Sequence, residues 1–158
     1  MTDLQFVLKL AHILGAAVLF GTGLGIAFFM LMAHRTGNAV VIAATARTVV
    51  IADFVFTATA VIAQPLTGAA LIHVIGYSWA EPWIAVSLAL YVFTGVCWLP
   101  VVWIQARMRR IAEDAARLSA PLPPAYFRLF RIWFVLGWPA FLSVIAIFAV
   151  MIWKPQLW

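Results

Sequence analysis

The chain has 158 residues, of which 66% are hydrophobic and 9% charged, with a formal net charge of +5 and a mean hydropathy of +1.09. Soluble domains run nearer half apolar and a quarter charged, so soluble hydrolase chemistry is excluded and nucleic acid is not the partner that the basic balance implies. A single-domain, all-α, polytopic membrane protein is expected instead: a four-transmembrane-helix bundle with proline-kinked helices, surrounded by lipid bilayer.

A hydrocarbon core of ~30 Å needs about 20 apolar residues in a helix. Four runs meet this length, at about 6–33, 48–77, 83–106 and 126–153. The first is too long for the apolar region of a cleavable leader. It carries Gly15, Gly21, Gly23 and Gly25, which are expected to let neighbouring backbones approach, and Gly21-x-x-x-Gly25 is a pattern that supports homo-oligomers. Lys9 snorkels at its entry, and His34-Arg35 marks its far interface before a Thr36-Gly37-Asn38 turn. The second run is interrupted by Gln64-Pro65, and the aromatic loop Tyr77-Ser78-Trp79 follows it at headgroup level. Pro100 lies in the third run and Pro139 in the fourth. Because proline lacks an N–H, the carbonyls of Val61, Val96 and Val135 are free for other partners.

Residues 107–120 differ in kind. Arg109 with Glu113, Arg110 with Asp114 and Glu113 with Arg117 stand at i,i+4 spacing. Ile111, Ala115 and Leu118 form the remaining face, so an amphipathic extension resting on the membrane surface is expected. Pro121-Leu122-Pro123-Pro124 ends it. The connections after the first and third runs hold Arg35, Arg47, Arg107, Arg109, Arg110, Arg117, Arg128 and Arg131, against Lys9 and Lys154 on the other side. The excess of basic residues on cytoplasmic loops then predicts a bacterial inner membrane protein with both termini on the periplasmic side.

Polar side chains within the spans are costly and therefore informative. They are His12, Asp53, Gln64, His73 and Gln105. His12 and His73 each lie about one turn inside the same face of the membrane, where two imidazoles on adjacent antiparallel helices suit the axial positions of a haem b iron, or a copper-like ion. On an ideal helix Asp53, Thr57, Gln64, Gly68 and Leu71 share one face and His73 points away from it, unless Pro65 turns the outer half. Asp53 needs a partner from another span or a proton. Asp53, Gln64 and Gln105 read either as bridges between helices or as a proton or ion path towards the histidines. Trp98 and Trp138 lie well inside spans, where flat rings either line a planar cofactor or pack the core. Met30 and His34 share a helix face but supply too few ligands for a soft-metal site. Cys97 reads as a small buried apolar residue.

Five stretches carry a resemblance over nearly the full length. They are Lys9–Ala16 (KLAHILGA), Gly23–Met30 (GLGIAFFM), Gln64–Gly68 (QPLTG), Cys97–Trp103 (CWLPVVW) and Gly137–Phe141 (GWPAF). Together they resemble a bacterial family of integral membrane proteins catalogued as domain of unknown function 2269. The opening Lys9-x-x-His12-Ile13 is also similar to copper-resistance D proteins and to HemJ-type protoporphyrinogen oxidases, compact helical membrane families. The second similarity implies haem b with His12 as an axial ligand. The expected activity is then membrane electron transfer, a haem-dependent oxidoreductase with quinone or another small redox partner arriving through lipid. A copper-like ion or proton transporter, or a cofactor-free membrane subunit, is the alternative.

Overall fold

A computed structural model describes residues 2–158. Its regular structure is entirely helical: α1 is Asp3–Arg35, α2 Ala39–Ile75, α3 Pro82–Arg117 and α4 Pro124–Trp153. Each is long and apolar enough to cross a membrane. Local chemistry sets the ends. The Thr2 hydroxyl accepts from the N–H of Gln5, and the Asn38 side chain accepts from Val40 and Val41, which satisfies N–H groups that a helix start leaves without intrahelical partners. Gly76, with φ +83°, closes α2 in the left-handed conformation that costs glycine least. Pro82 and Pro124 open α3 and α4, where a missing N–H loses nothing.

The Asn38 cap starts α2 nine residues before the expected position, so Ala39–Arg47 are helical. The 107–120 extension likewise departs from its surface-resting expectation. It continues α3 without a break to Arg117 and packs inward. Met108, Ala112 and Ala115 are buried on its inner face, whereas Leu118 is 70% exposed. The reason is side-chain size. Ala43 and Ala46 of α2 and Ala112 of α3 bring two backbones close, as small residues do in membrane helix pairs. Of the expected ion pairs, Arg109–Glu113 forms at 3.6 Å, while Arg117 pairs with Asp114 at 2.8 Å instead of with Glu113.

The core is uneven along the bundle. Ile26, Met30 and Ala33 of α1, Ile42 and Val49 of α2, Ile104 of α3 and Tyr126, Phe130 and Trp133 of α4 fill the arginine-rich half. His34 stacks on Phe130, with ring centroids 3.6 Å apart and planes 5° from parallel, which uses the imidazole as a flat packing surface. Met30 is completely buried in this core. Towards the other end α2 leaves α3 and packs against α1 alone, apart from a contact through Tyr91. Phe20 of α1 reaches α4 through Phe141 at 5.1 Å. There Lys154 closes the bundle. Its ammonium donates to the Tyr77 hydroxyl at 2.8 Å and lies 5.0 Å from the Trp83 ring centre, a cation–π geometry. That contact places the end of α4 beside the α2–α3 connection. Gly15 meets α2 as expected, but the other three glycines of α1 meet no neighbouring helix within 4 Å. A Cβ on Gly21 or Gly23 would meet nothing within 4 Å, and Gly21 and Gly25 line an open groove between α1 and α2.

Candidate functional site

Asp53 to Thr57 form a π-turn in the middle of α2. The wider turn holds an extra residue, so side chains beyond it are rotated relative to those before it. The single polar face expected of an ideal helix is therefore divided. Asp53 turns towards α3, with Thr57 beside its carboxyl, while Gln64, Thr67 and Gly68 turn towards α1.

At the π-turn the Asp53 side chain is buried, 5% exposed, and meets Gln105 of α3, which is 1% exposed. Gln105 Nε2 lies 3.4 Å from Asp53 Oδ2, longer than a well-formed N–H···O bond. Trp133 Nε1–H of α4 donates to Gln105 Oε1 at 3.1 Å. The Trp98 indole and the Thr57 hydroxyl face the same carboxyl, and the Thr57 hydroxyl, itself buried, makes no hydrogen bond among the described residues. Among the described residues Asp53 has no cationic partner, since both ion pairs lie on the α3 extension. Neutral groups of α2 and α3 thus surround the carboxyl, and α4 reaches it through Gln105.

One and two turns further along α2 the backbone itself becomes polar. Pro65 supplies no N–H, and the carbonyl of Val61 that it leaves free accepts the Tyr91 hydroxyl from α3. No such partner reaches Val96 or Val135 among the described residues.

Beyond this lies the histidine. A Cβ on Gly15 would overlap Gln64 Nε2, and one on Gly68 would sit 3.3 Å from His12 Cε1, so both helices need glycine here for close approach. Gln64 Nε2 donates to the His12 carbonyl at 2.9 Å. His12 Nδ1 is 2.8 Å from Thr67 Oγ1, which is 2.7 Å from the Ala63 carbonyl. A hydroxyl carries one hydrogen and a carbonyl only accepts. The Thr67 hydrogen therefore goes to Ala63, and its oxygen accepts Nδ1–H of His12. The imidazole is left with its Nε2 lone pair free, anchored through the other nitrogen as metal-binding and proton-accepting histidines are.

The other expected residues lie elsewhere. His73 is exposed and makes no side-chain hydrogen bond among the described residues, because α2 presents Thr67 and Gly68, not His73, to α1. It does not join His12. Trp138 is 53% exposed on the outside of α4, with its ring edge-on to Phe134, so it borders no interior space. Trp98 is half-buried at the Asp53 carboxyl. No group of three or more His, Cys, Asp or Glu side chains gathers among the described residues. Thr67, Tyr91 and Trp133 complete the polar contacts without being conspicuous in sequence. Thr67 stands one turn after Gln64, and Tyr91 is found only by asking what satisfies the carbonyl that Pro65 frees.

Four membrane-length helices around a buried carboxyl, an anchored imidazole and the hydroxyl–carbonyl contact between them define an α-helical integral membrane protein with a polar line along one helix. The chain belongs to the family described as predicted integral membrane protein (DUF2269), whose model matches residues 6–155. No curated protein and no solved structure matches the chain.

Proposed function

We propose that this membrane protein transfers protons along α2, between Asp53 near the arginine-rich half and His12 towards the other face. The observation that carries the reading is the spacing of the polar groups. Asp53, Thr57, the Val61 carbonyl with Tyr91, and Gln64 with Thr67 and His12 follow one another at intervals of about one helical turn. A turn rises ~5.4 Å, and because the π-turn sets Asp53 and the Gln64–Thr67 pair on different faces of α2, the stations exchange protons through waters between the helices. From residue 53 to residue 67 the line covers ~21 Å of a ~30 Å hydrocarbon core. A buried acid without a cationic partner is the kind of group that proton relays use. Thr57, whose hydroxyl is buried and unpartnered, is the natural next station. Asp53, Thr57, Tyr91 and His12 Nε2 give and take the protons, with O–H and N–H bonds made and broken, while the Val61 carbonyl and the Gln64 amide only orient them; the gradient supplies the driving force. By the count of basic residues the arginine-rich end faces the cytoplasm.

Purified protein in vesicles loaded with a pH-sensitive dye tests this reading, with a potassium diffusion potential to drive proton entry. Wild type is expected to change the lumenal pH faster than protein-free vesicles. Asp53→Asn is expected to abolish the excess rate and His12→Ala to reduce it. Wild-type vesicles no faster than empty ones would overturn the reading.

A second reading rests on the His12 tautomer. An Nε2 lone pair on a ring fixed through Nδ1 suits one axial position of haem b, or a copper-like ion, as the Lys9-x-x-His12-Ile13 resemblance implies. Trp98 and Trp138 do not flank it, and His73 is not placed as the second ligand. Under this reading the protein is a haem-binding redox protein with quinone or a similar lipid-soluble partner. A Soret band in protein expressed with a haem precursor, lost in His12→Ala, is its expected signature, and a featureless spectrum would remove it.

A further inference from the structure

Among the described residues the one side-chain hydrogen bond of Trp133 is to Gln105, not to Asp53, yet it determines which end of Gln105 the carboxyl meets. An indole N–H can only donate, and it lies 3.1 Å from Gln105 Oε1. The primary amide has one oxygen, so engaging it with Trp133 leaves Nε2, with its two donor hydrogens, as the atom directed at Asp53 Oδ2. A donor aimed at a carboxyl favours the ionised form, and an acceptor favours the protonated one. The amide is 1% exposed and Trp133 is 5% exposed, so water does not compete for either group.

We infer that Trp133 is a positioning residue: by fixing the Gln105 amide it keeps a donor, and not an acceptor, turned to the Asp53 carboxyl and so eases release of its proton. This deepens the proton-transfer reading and rests on it for its biological meaning, although the effect on Asp53 is measurable without transport. The other groups facing the carboxyl are the Trp98 indole and the Thr57 hydroxyl, both neutral. Among the described residues no ion pair reaches Asp53 from any helix. Of the two α3 neighbours, only Gln105 can present either a donor or an acceptor, by a flip of its amide. Without Trp133 the amide is free to turn Oε1 towards a protonated Asp53.

The test follows the carbonyl stretch of the protonated Asp53 carboxyl by difference infrared spectroscopy of the purified full chain, assigned by its loss in Asp53→Asn. Trp133→Phe keeps the ring and removes only the N–H. The expected result is a rise of about one pH unit in the midpoint at which the band disappears, a tenfold gain in proton affinity. Gln105→Met, of similar shape and without the amide, gives a second variant should Trp133→Phe fold poorly, and it is expected to raise the midpoint as well. In a Gln105→Met background, adding Trp133→Phe is expected to change nothing further, because Trp133 acts only through the amide. An unchanged midpoint in Trp133→Phe would overturn the inference. So would an equal shift with Gln105→Met already present, or no Asp53-dependent band at any pH at which the protein is folded. A shifted midpoint in protein that moves no protons in vesicles would leave the positioning role standing and refute the transport reading instead.

Discussion

Tyr91 and Pro65 make one polar arrangement between them, and separating their contributions tests how the outer half of α2 is held. Pro65 leaves the Val61 carbonyl without its helical donor, and the Tyr91 hydroxyl fills that place from α3. Tyr91→Phe keeps the ring and leaves a carbonyl unsatisfied in an apolar setting. Leaving a buried acceptor without a partner costs ~1–3 kcal/mol, but interhelical hydrogen bonds in membranes average only ~0.6 kcal/mol, because the reference state also finds partners. The carbonyl here has lost its own helix donor and has few alternatives, so ~1 kcal/mol is expected, between those two figures. Pro65→Ala restores an N–H four residues after Val61. In that background Tyr91→Phe is expected to cost close to nothing, so the coupling in a double-mutant cycle approaches the whole single-mutant effect. The four proteins are compared in mixed micelles by unfolding with a denaturing detergent, followed by far-ultraviolet circular dichroism. An identical cost for Tyr91→Phe in both backgrounds would refute the argument, since it would show that the hydroxyl does not stand in for the missing N–H.

Gly15→Ala is expected to push the Gln64 amide off the His12 carbonyl, losing a hydrogen bond worth ~1 kcal/mol, while Gly23→Ala, with nothing within 4 Å of the added methyl, is neutral or slightly stabilising. Thermal melts of the two variants check this, and equal melting temperatures would contradict the close packing of α1 on α2. His34→Ala removes the stack on Phe130 and is expected to cost ~1 kcal/mol, within the range of aromatic pairs. His34→Phe should recover most of it, and a loss as large as with alanine would mean that the imidazole nitrogens, not the flat face, hold the contact.

The sequence by itself determined the number of membrane-spanning helices, and the reason is energetic. In lipid every backbone polar group must be satisfied within the segment, so a long apolar run has little choice but to be helical. The Thr36-Gly37-Asn38 stop was readable for the same local reason, as was the cost that makes His12, Asp53, Gln64 and Gln105 seek polar partners. Which of these meet was decided by tertiary structure. Ideal periodicity put Asp53 and Gln64 on one face, but the π-turn at Asp53–Thr57 sends one to Gln105 and the other to His12. A register change of this kind depends on how α2 packs against two different neighbours, and it leaves no periodic trace in the residues. The same holds for the 107–120 extension. Its charges advertised a solvated helix, and only the small residues on both facing helices, Ala43, Ala46 and Ala112, drew its other side into the core. His73 and Trp138 looked as suitable as His12 and Trp98 in sequence. They differ because a helix in lipid offers a polar or aromatic side chain either a neighbouring helix or the bilayer, and packing assigned them to the outside.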